Sequence, residues 1–146
     1  MTVIIDTNVL YQALRSKLGA SHYILQLIRE RKINIAISIK VFNEYEDVLK
    51  RPEKLKELNL DSTDIDKILA LLAFIGKPCS THFLFRPNLK DENDNMFLEL
   101  ALASSSNCII TNNIKDFTQN NELKFETIEI MTPTDFLRKW RKKNEE

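Results

Sequence analysis

The sequence is short of the residues that break a chain or staple it. Of 146 residues, two are glycine, four are proline and two are cysteine. So little glycine and proline excludes a collagenous or low-complexity chain, and no internal repeat marks a solenoid. Cys79 and Cys108 lie far apart and belong to no CxxC or Cys/His cluster, which argues against structural zinc and against a secreted disulfide framework. Both read as small apolar residues inside strands. Net charge is absent as well, since 21 basic and 21 acidic residues cancel. No global field therefore draws in a polyanion, which would have to be met by a local patch. No apolar run approaches the ~18 residues of a membrane span, and the first one ends at Asp6 with no basic segment before it, unlike a signal peptide. A reduced, cytoplasmic protein with no membrane partner is expected.

What is present is an ordinary globular profile, 43% hydrophobic and 29% charged. Its length suits one domain spanning residues 1–146, able to bury roughly two thirds of the surface its unfolded chain exposes. Short apolar runs alternate with stretches of helical period, the pattern of βα units feeding a mostly parallel sheet. Five strands are expected at 3–5, 33–38, 77–83, 108–111 and 127–131. Between them the period predicts helices over 8–18, 21–31, 38–51, a short one from Pro52, one from Asp61 or Ser62 to Gly76, and one over 94–105. A last, basic helix and tail over about 134–146 is capped by Thr134 or Asp135. The fold class that follows is α/β, a three-layer α/β/α sandwich. The Leu-rich stripe of Ile65, Ile68, Leu69, Leu72 and Ile75 suits either the sheet or a subunit contact.

Four acids recur where such a fold collects its ligands, at the carboxyl ends of strands. Asp6 follows the first strand directly in "VIIDTNVL", although Asp, Thr and Asn there equally suit a helix cap. In "VFNEYEDVL", Val41, Tyr45, Val48 and Leu49 form the buried stripe; Glu44 sits at its border, while Glu46 and Asp47 point further out. In "DENDNMFLELALA", Asp94 shares a face with Phe97, Leu98 and Ala101, so the carboxylate lies on the inward stripe. A first-turn acid also suits the helix dipole, a role that Asp91 and Glu92 fill without pointing inward. Asp116 comes just after strand four in "CIITNNIKDF", beside the oxygens of Thr111, Asn112 and Asn113. In a doubly wound order all four acids converge. Crowded carboxylates repel one another unless a cation neutralises them, and all-oxygen ligands select Mg²⁺ or Mn²⁺ over zinc. Metal-assisted hydrolysis of a phosphodiester is the chemistry suggested.

These four segments, in this order and spacing over about residues 1–135, resemble the PIN domain, and more narrowly the bacterial and archaeal PIN proteins of toxin-antitoxin pairs. The resemblance implies an α/β/α sandwich and a Mg²⁺- or Mn²⁺-dependent endoribonuclease cutting single-stranded RNA. Carried over residue by residue, it makes Asp6, Glu44, Asp94 and Asp116 catalytic metal ligands. Asn8 and Thr111 become supporting polar residues, and Asp91 a neighbouring acid of second rank. It implies a homodimer and a cognate antitoxin as partners. The match departs at Asn113, where many members carry an acid, and Asp116 is expected to compensate.

Candidate RNA contacts are Arg15, Lys17, Lys50 and Arg51 near the acid edge, with Trp140 in "RKWRKK" offered for base stacking. The basic C-terminal segment also suits a plain solvated helix end. Other readings fit less well. A haloacid-dehalogenase-type phosphotransferase wants a second Asp where Asn8 stands, and a receiver domain wants paired acids and a late Lys that are not found. His22 and His82 sit in no arrangement suggesting a general base, and there is no nucleophile elbow. A PIN-fold scaffold or RNA-binding module without turnover is the alternative from another class. Keeping four mutually repelling acids speaks against it.

Overall fold

The computed structural model describes residues 1–80, 92–118 and 128–144, the side chains of 92–95 and 118 excepted. Five parallel strands form one sheet in the order β3-β2-β1-β4-β5. They are β1 (Thr2–Ile5), β2 (Asn34–Ile37), β3 (Lys77–Pro78), β4 (Cys108–Ile110) and β5 (Glu129–Met131). Val3, Ile4 and Ile5 are all buried, as are Ile35, Ala36 and Ile37, and Cys108, Ile109 and Ile110. Successive strand residues face opposite ways, so burial of every one means that both faces of the sheet are covered. The sheet is the middle layer.

The helices are α1 (Thr7–Arg15), α2 (Ala20–Arg29), α3 (Ile39–Leu49), α4 (Pro52–Leu58), α5 (Ser62–Ile75), α6 (Glu92–Ser104), α7 (Ile114–Thr118) and α8 (Pro133–Asn144). Helix α6 lies against β1, β2 and β4, α5 against β2, and α2 between α1 and α8. Among the described residues, no helix is long and apolar enough to cross a membrane.

Local chemistry explains most element boundaries. Ser38 caps α3 by accepting from the Val41 N–H at 3.2 Å, and Pro52 opens α4 where its missing N–H costs nothing. Asp61 and Asp64 form a reciprocal capping box at the start of α5, at 2.8 and 3.0 Å. Gly76 ends α5, but not through a left-handed turn: its φ is −75°. A Cβ there would lie 2.6 Å from the Leu72 carbonyl oxygen and 3.0 Å from Ile37 Cδ1, so the last turn of α5 itself, and after it the β2 side chains, leave room only for glycine.

Several boundaries differ from those the sequence predicts. The first helix starts at Thr7 and stops at Arg15 rather than running over 8–18. The third strand is two residues long where seven were expected, with Pro78 on the sheet edge, as its lack of an N–H demands; 81–83 lie outside the described residues. Thr132, not Thr134 or Asp135, caps α8, accepting from the Asp135 N–H at 3.1 Å.

Candidate active site at the switch point of the sheet

The winding direction reverses between β1 and β4, because β2 and β3 lie on one side of β1 and β4 and β5 on the other. Side chains leaving the carboxyl ends of these two strands flank the crevice where open α/β sheets take their ligands. Asp6 leaves β1 and Thr111 leaves β4, each in register with the other strand: Ile5 pairs Ile110, and the Asp6 N–H donates to the Ile110 carbonyl at 3.0 Å.

Asp6 occupies the N-cap position of α1, yet its carboxylate makes no capping bond. Instead, the Thr111 hydroxyl donates to Asp6 Oδ2 at 2.7 Å and accepts from the Asn113 N–H at 3.0 Å. Thr111 is fully buried and Asp6 is 8% exposed. This excludes the capping alternative for Asp6: the carboxylate is aimed across the strand ends, and one threonine ties β1 to the β4–α7 turn.

A cleft of about 240 Å³ opens there, lined by Asp6, Thr7, Asn8, Tyr11, Glu44, Val48, Lys54, Phe97, Asn113 and Asp116. Three of the four candidate acids thus line one cleft, without closing into the tight cluster expected from the sequence. Glu44 is half-buried on α3 and lines the cleft; Glu46, also half-buried, and the exposed Asp47 do not line it and instead pair with Lys50 and Arg51 at 3.6 and 3.3 Å. Asp116 is exposed and sits in the first turn of α7, a short helix where a loop was expected. Asp94 lies in the first turn of α6, one turn before Phe97, and its side chain is outside the described residues; Asp91 is outside them altogether.

Aromatic packing backs one wall, at Phe97. Tyr45 is fully buried and its hydroxyl donates to the Ile5 carbonyl at 2.5 Å, directly below Asp6 in sequence. Burial, and after it the negative charge of Asp6, push the Tyr45 phenol far above its ordinary pKa. Phe97 stands 6.4 Å from the Tyr45 ring and edge-on to Phe117 at 6.5 Å.

Five lining residues, Thr7, Tyr11, Val48, Lys54 and Phe97, are not among the site residues that the sequence indicates. Thr7 and Tyr11 share a face of α1 with Asn8, so helical period alone would have found them. Their hydroxyls are buried and, among the described residues, have no hydrogen-bond partner. Lys54 comes from α4 and lies over the Tyr11 ring at 4.3 Å, a cation inside an acidic cleft; Phe97 belongs to the core stripe of α6.

Every lining group able to ligate a metal does so through oxygen, a donor set suited to a hard divalent cation. Among the described residues, no group of three His, Cys, Asp or Glu side chains is arranged to hold a metal ion.

The proposed RNA contacts are dispersed. Lys50 is engaged by Asp66 at 2.5 Å, and that hydrogen bond leads the effects raising its pKa. Arg51 is held by Asp47, and Arg15 is exposed at the end of α1. Trp140 is half-buried, packed against the core, and lines a hollow with Met1, Asn107 and Cys108 near the start of the strands.

A family model described as PIN domain matches residues 2–115. The uncharacterized protein MJ1680 of Methanocaldococcus jannaschii is 31% identical over 141 residues, covering 90% of this chain and 85% of that protein. A chain in the crystal structure of VapBC2 from Rickettsia felis, bound to a DNA fragment from their promoter, superposes with a TM-score of 0.55 at 21% identity, covering 89% of this chain and 98% of that one. At that identity the likeness concerns the fold.

Proposed function

The chain belongs to the PIN domain family, and from that premise we propose that it is a Mg²⁺- or Mn²⁺-dependent endoribonuclease that hydrolyses single-stranded RNA at the acid cleft. The observation that carries the reading is Asp6. A nearly buried carboxylate at the switch point, held by a buried threonine rather than spent on its own helix, is a costly arrangement for a structural residue. It suits a group positioned for a ligand.

Asp6, Glu44 and Asp116, with Asp94 from the first turn of α6, would hold the ion. When bound, such an ion supplies positive charge against phosphodiester oxygens and makes water a better nucleophile. The chain's own residues do the rest. Thr111 fixes the Asp6 rotamer, and the Thr7 and Tyr11 hydroxyls supply unpartnered polar atoms at the wall. Lys54 places a cation where a phosphate would enter, and Phe97, packed on the buried Tyr45 and Phe117 rings, forms an apolar part of the wall.

The physiological role follows the resemblance: the toxin of a toxin-antitoxin pair, with an antitoxin as protein partner. A homodimer is supported by the outward-facing apolar residues Ile39, Leu71 and Phe74. Light scattering would test it, and a strictly monomeric mass would remove it.

The decisive assay incubates unstructured RNA and Mn²⁺ with the native sequence and with Asp6→Asn. Cleavage by the native sequence alone is expected. Equal cutting by both proteins would indicate a contaminant, and no cutting by either would favour the scaffold reading.

A further inference from the structure

Away from the acid cleft, and sharing no lining residue with it, a larger groove of about 720 Å³ runs between the α1–α2 turn, the start of α2 and the outer side of α8. We propose that this groove is a second RNA site, which grips the backbone of a single strand while the acid cleft acts elsewhere on it. Naming RNA as the ligand rests on the nuclease reading; the groove's preference for a polyanion does not.

Charge is the first argument. The chain as a whole is neutral, with 21 residues of each sign. Yet Lys17, Arg138, Arg141 and Lys142 all line this groove and no carboxylate does. Arg138 is partly engaged by Asp135 at 3.5 Å, both ends being exposed. Among the described residues no acid pairs with Lys17, Arg141 or Lys142. Four cations along one concavity with no carboxylate among them build a local positive potential for a phosphate chain, even in a neutral protein.

The aromatic wall is the second argument. Tyr23 is 41% exposed and Arg141 Cζ lies 4.9 Å from its ring centroid. A guanidinium lying over a partly exposed ring is braced by it, with its outer plane available for stacking a base and its fork for the adjoining phosphate. The wall behind is firm: His22 Nδ1 is hydrogen-bonded to the Ala13 carbonyl at 3.0 Å, which ties α2 to α1, and Nε2 is hydrogen-bonded to the Gln26 amide at 3.0 Å within α2. An acidic protein segment would also meet the charge, but protein interfaces are anchored by packed apolar residues. Leu18, 99% exposed, is the one large aliphatic that stands out here among the described residues.

The test uses the full chain carrying Asp6→Asn, so that RNA survives, and fluorescence anisotropy with labelled oligouridine over a range of salt. Each phosphate neutralised on a single strand contributes about 0.7 to the slope of log K against log salt. Replacing Lys17, Arg141 and Lys142 together by alanine should therefore flatten the slope by about 2 and weaken binding at least about ten-fold. Tyr23→Ala should weaken it about five-fold or more with the slope unchanged. All four side chains are exposed, and a melting curve matched to the parent confirms that the fold is intact; Lys17→Glu in the turn provides a further variant that touches no helix.

Unaltered affinity and slope in the triple variant would overturn the proposal. So would tighter binding of an oligoglutamate peptide than of oligouridine, which would assign the groove to an acidic protein. Because the readout is binding, absence of cleavage by the native sequence would count against the nuclease reading alone.

Discussion

Replacing Thr111 by valine removes one oxygen from the centre of the candidate site and almost no volume. The lost hydroxyl donates to Asp6 Oδ2 at 2.7 Å and accepts from the Asn113 N–H at 3.0 Å. Asn113 is exposed, so water replaces that second bond. Water cannot easily replace the first, because residue 111 is fully buried and Asp6 is 8% exposed. A hydrogen bond to a charged group contributes about 1.5–3 kcal/mol. For a chain of this length that corresponds to a fall in Tm of roughly 5–10 °C without divalent ions. In an Asp6→Asn background the same substitution breaks a neutral bond of about 1 kcal/mol, leaving a coupling energy of about 1 kcal/mol in the double-mutant cycle. Cleavage of RNA should fall about 10- to 100-fold, the usual effect of losing a group that orients a metal ligand. Differential scanning calorimetry of the four proteins and a cleavage time course measure both. A Thr111→Val protein that melts with its parent and cuts at the same rate would refute the reasoning.

Other outcomes follow from the same geometry. Millimolar Mg²⁺ or Mn²⁺ should raise the Tm of the native sequence, since only the folded state gathers the acids; a concentration one hundred times Kd adds about 2.7 kcal/mol. Asp6→Asn should lose most of that rise, and an unchanged curve for the native sequence would count heavily against the site. Tyr45 remains protonated in the fold well above pH 10, where unfolded tyrosine ionises. The unfolded state then binds fewer protons, so stability is unaffected below pH 10 and falls above it, by up to about 1.4 kcal/mol per pH unit. Alkaline denaturation followed by tyrosine absorbance should show that loss, and Tyr45→Phe should remove it. Burial, and secondarily the charge of Glu129, push the Cys108 thiol up to about 12, whereas Cys79 is half-buried. At mildly alkaline pH a disulfide reagent should therefore titrate one thiol in the native protein and two after denaturation. Gly76→Ala should cost about 1–3 kcal/mol, because the new methyl meets the Leu72 carbonyl and Ile37; urea unfolding without loss of midpoint would contradict it.

Much of the site was legible because its acids sit at strand ends and on helix stripes. Asp6 and Asp116 follow recognisable strands, and the 100° period alone set Glu44 on the border of its helix, where the structure finds it half-buried beside the cleft. Whether Asp6 capped α1 was not legible: a cap and a ligand occupy the same position in sequence, and the Thr111 hydroxyl, 105 residues away, decided between them. Lys54 escaped notice because only the α4 turn after Arg51 brings it over Tyr11. Lys50 and Arg51 looked like phosphate contacts until Asp66 and Asp47 were seen to engage them. Glu99 sits on α6 among core residues and is buried, with Lys40 at 3.8 Å, a placement no periodicity argument indicated.

Local chemistry, then, determines what can be read locally. Apolar runs between helical stripes, Ser38, Pro52 and the Asp61–Asp64 box suffice to specify an α/β chain and most of its element edges, since each depends on neighbours within a few residues. Only the tertiary structure decided which polar groups share a space. The crossing order of the strands brings residues 6, 44, 54 and 116 to one cleft and residues 17–26 and 134–142 to another groove. Charge, burial and pairing act through distance, and distances between remote segments come into being only when the sheet closes over its core.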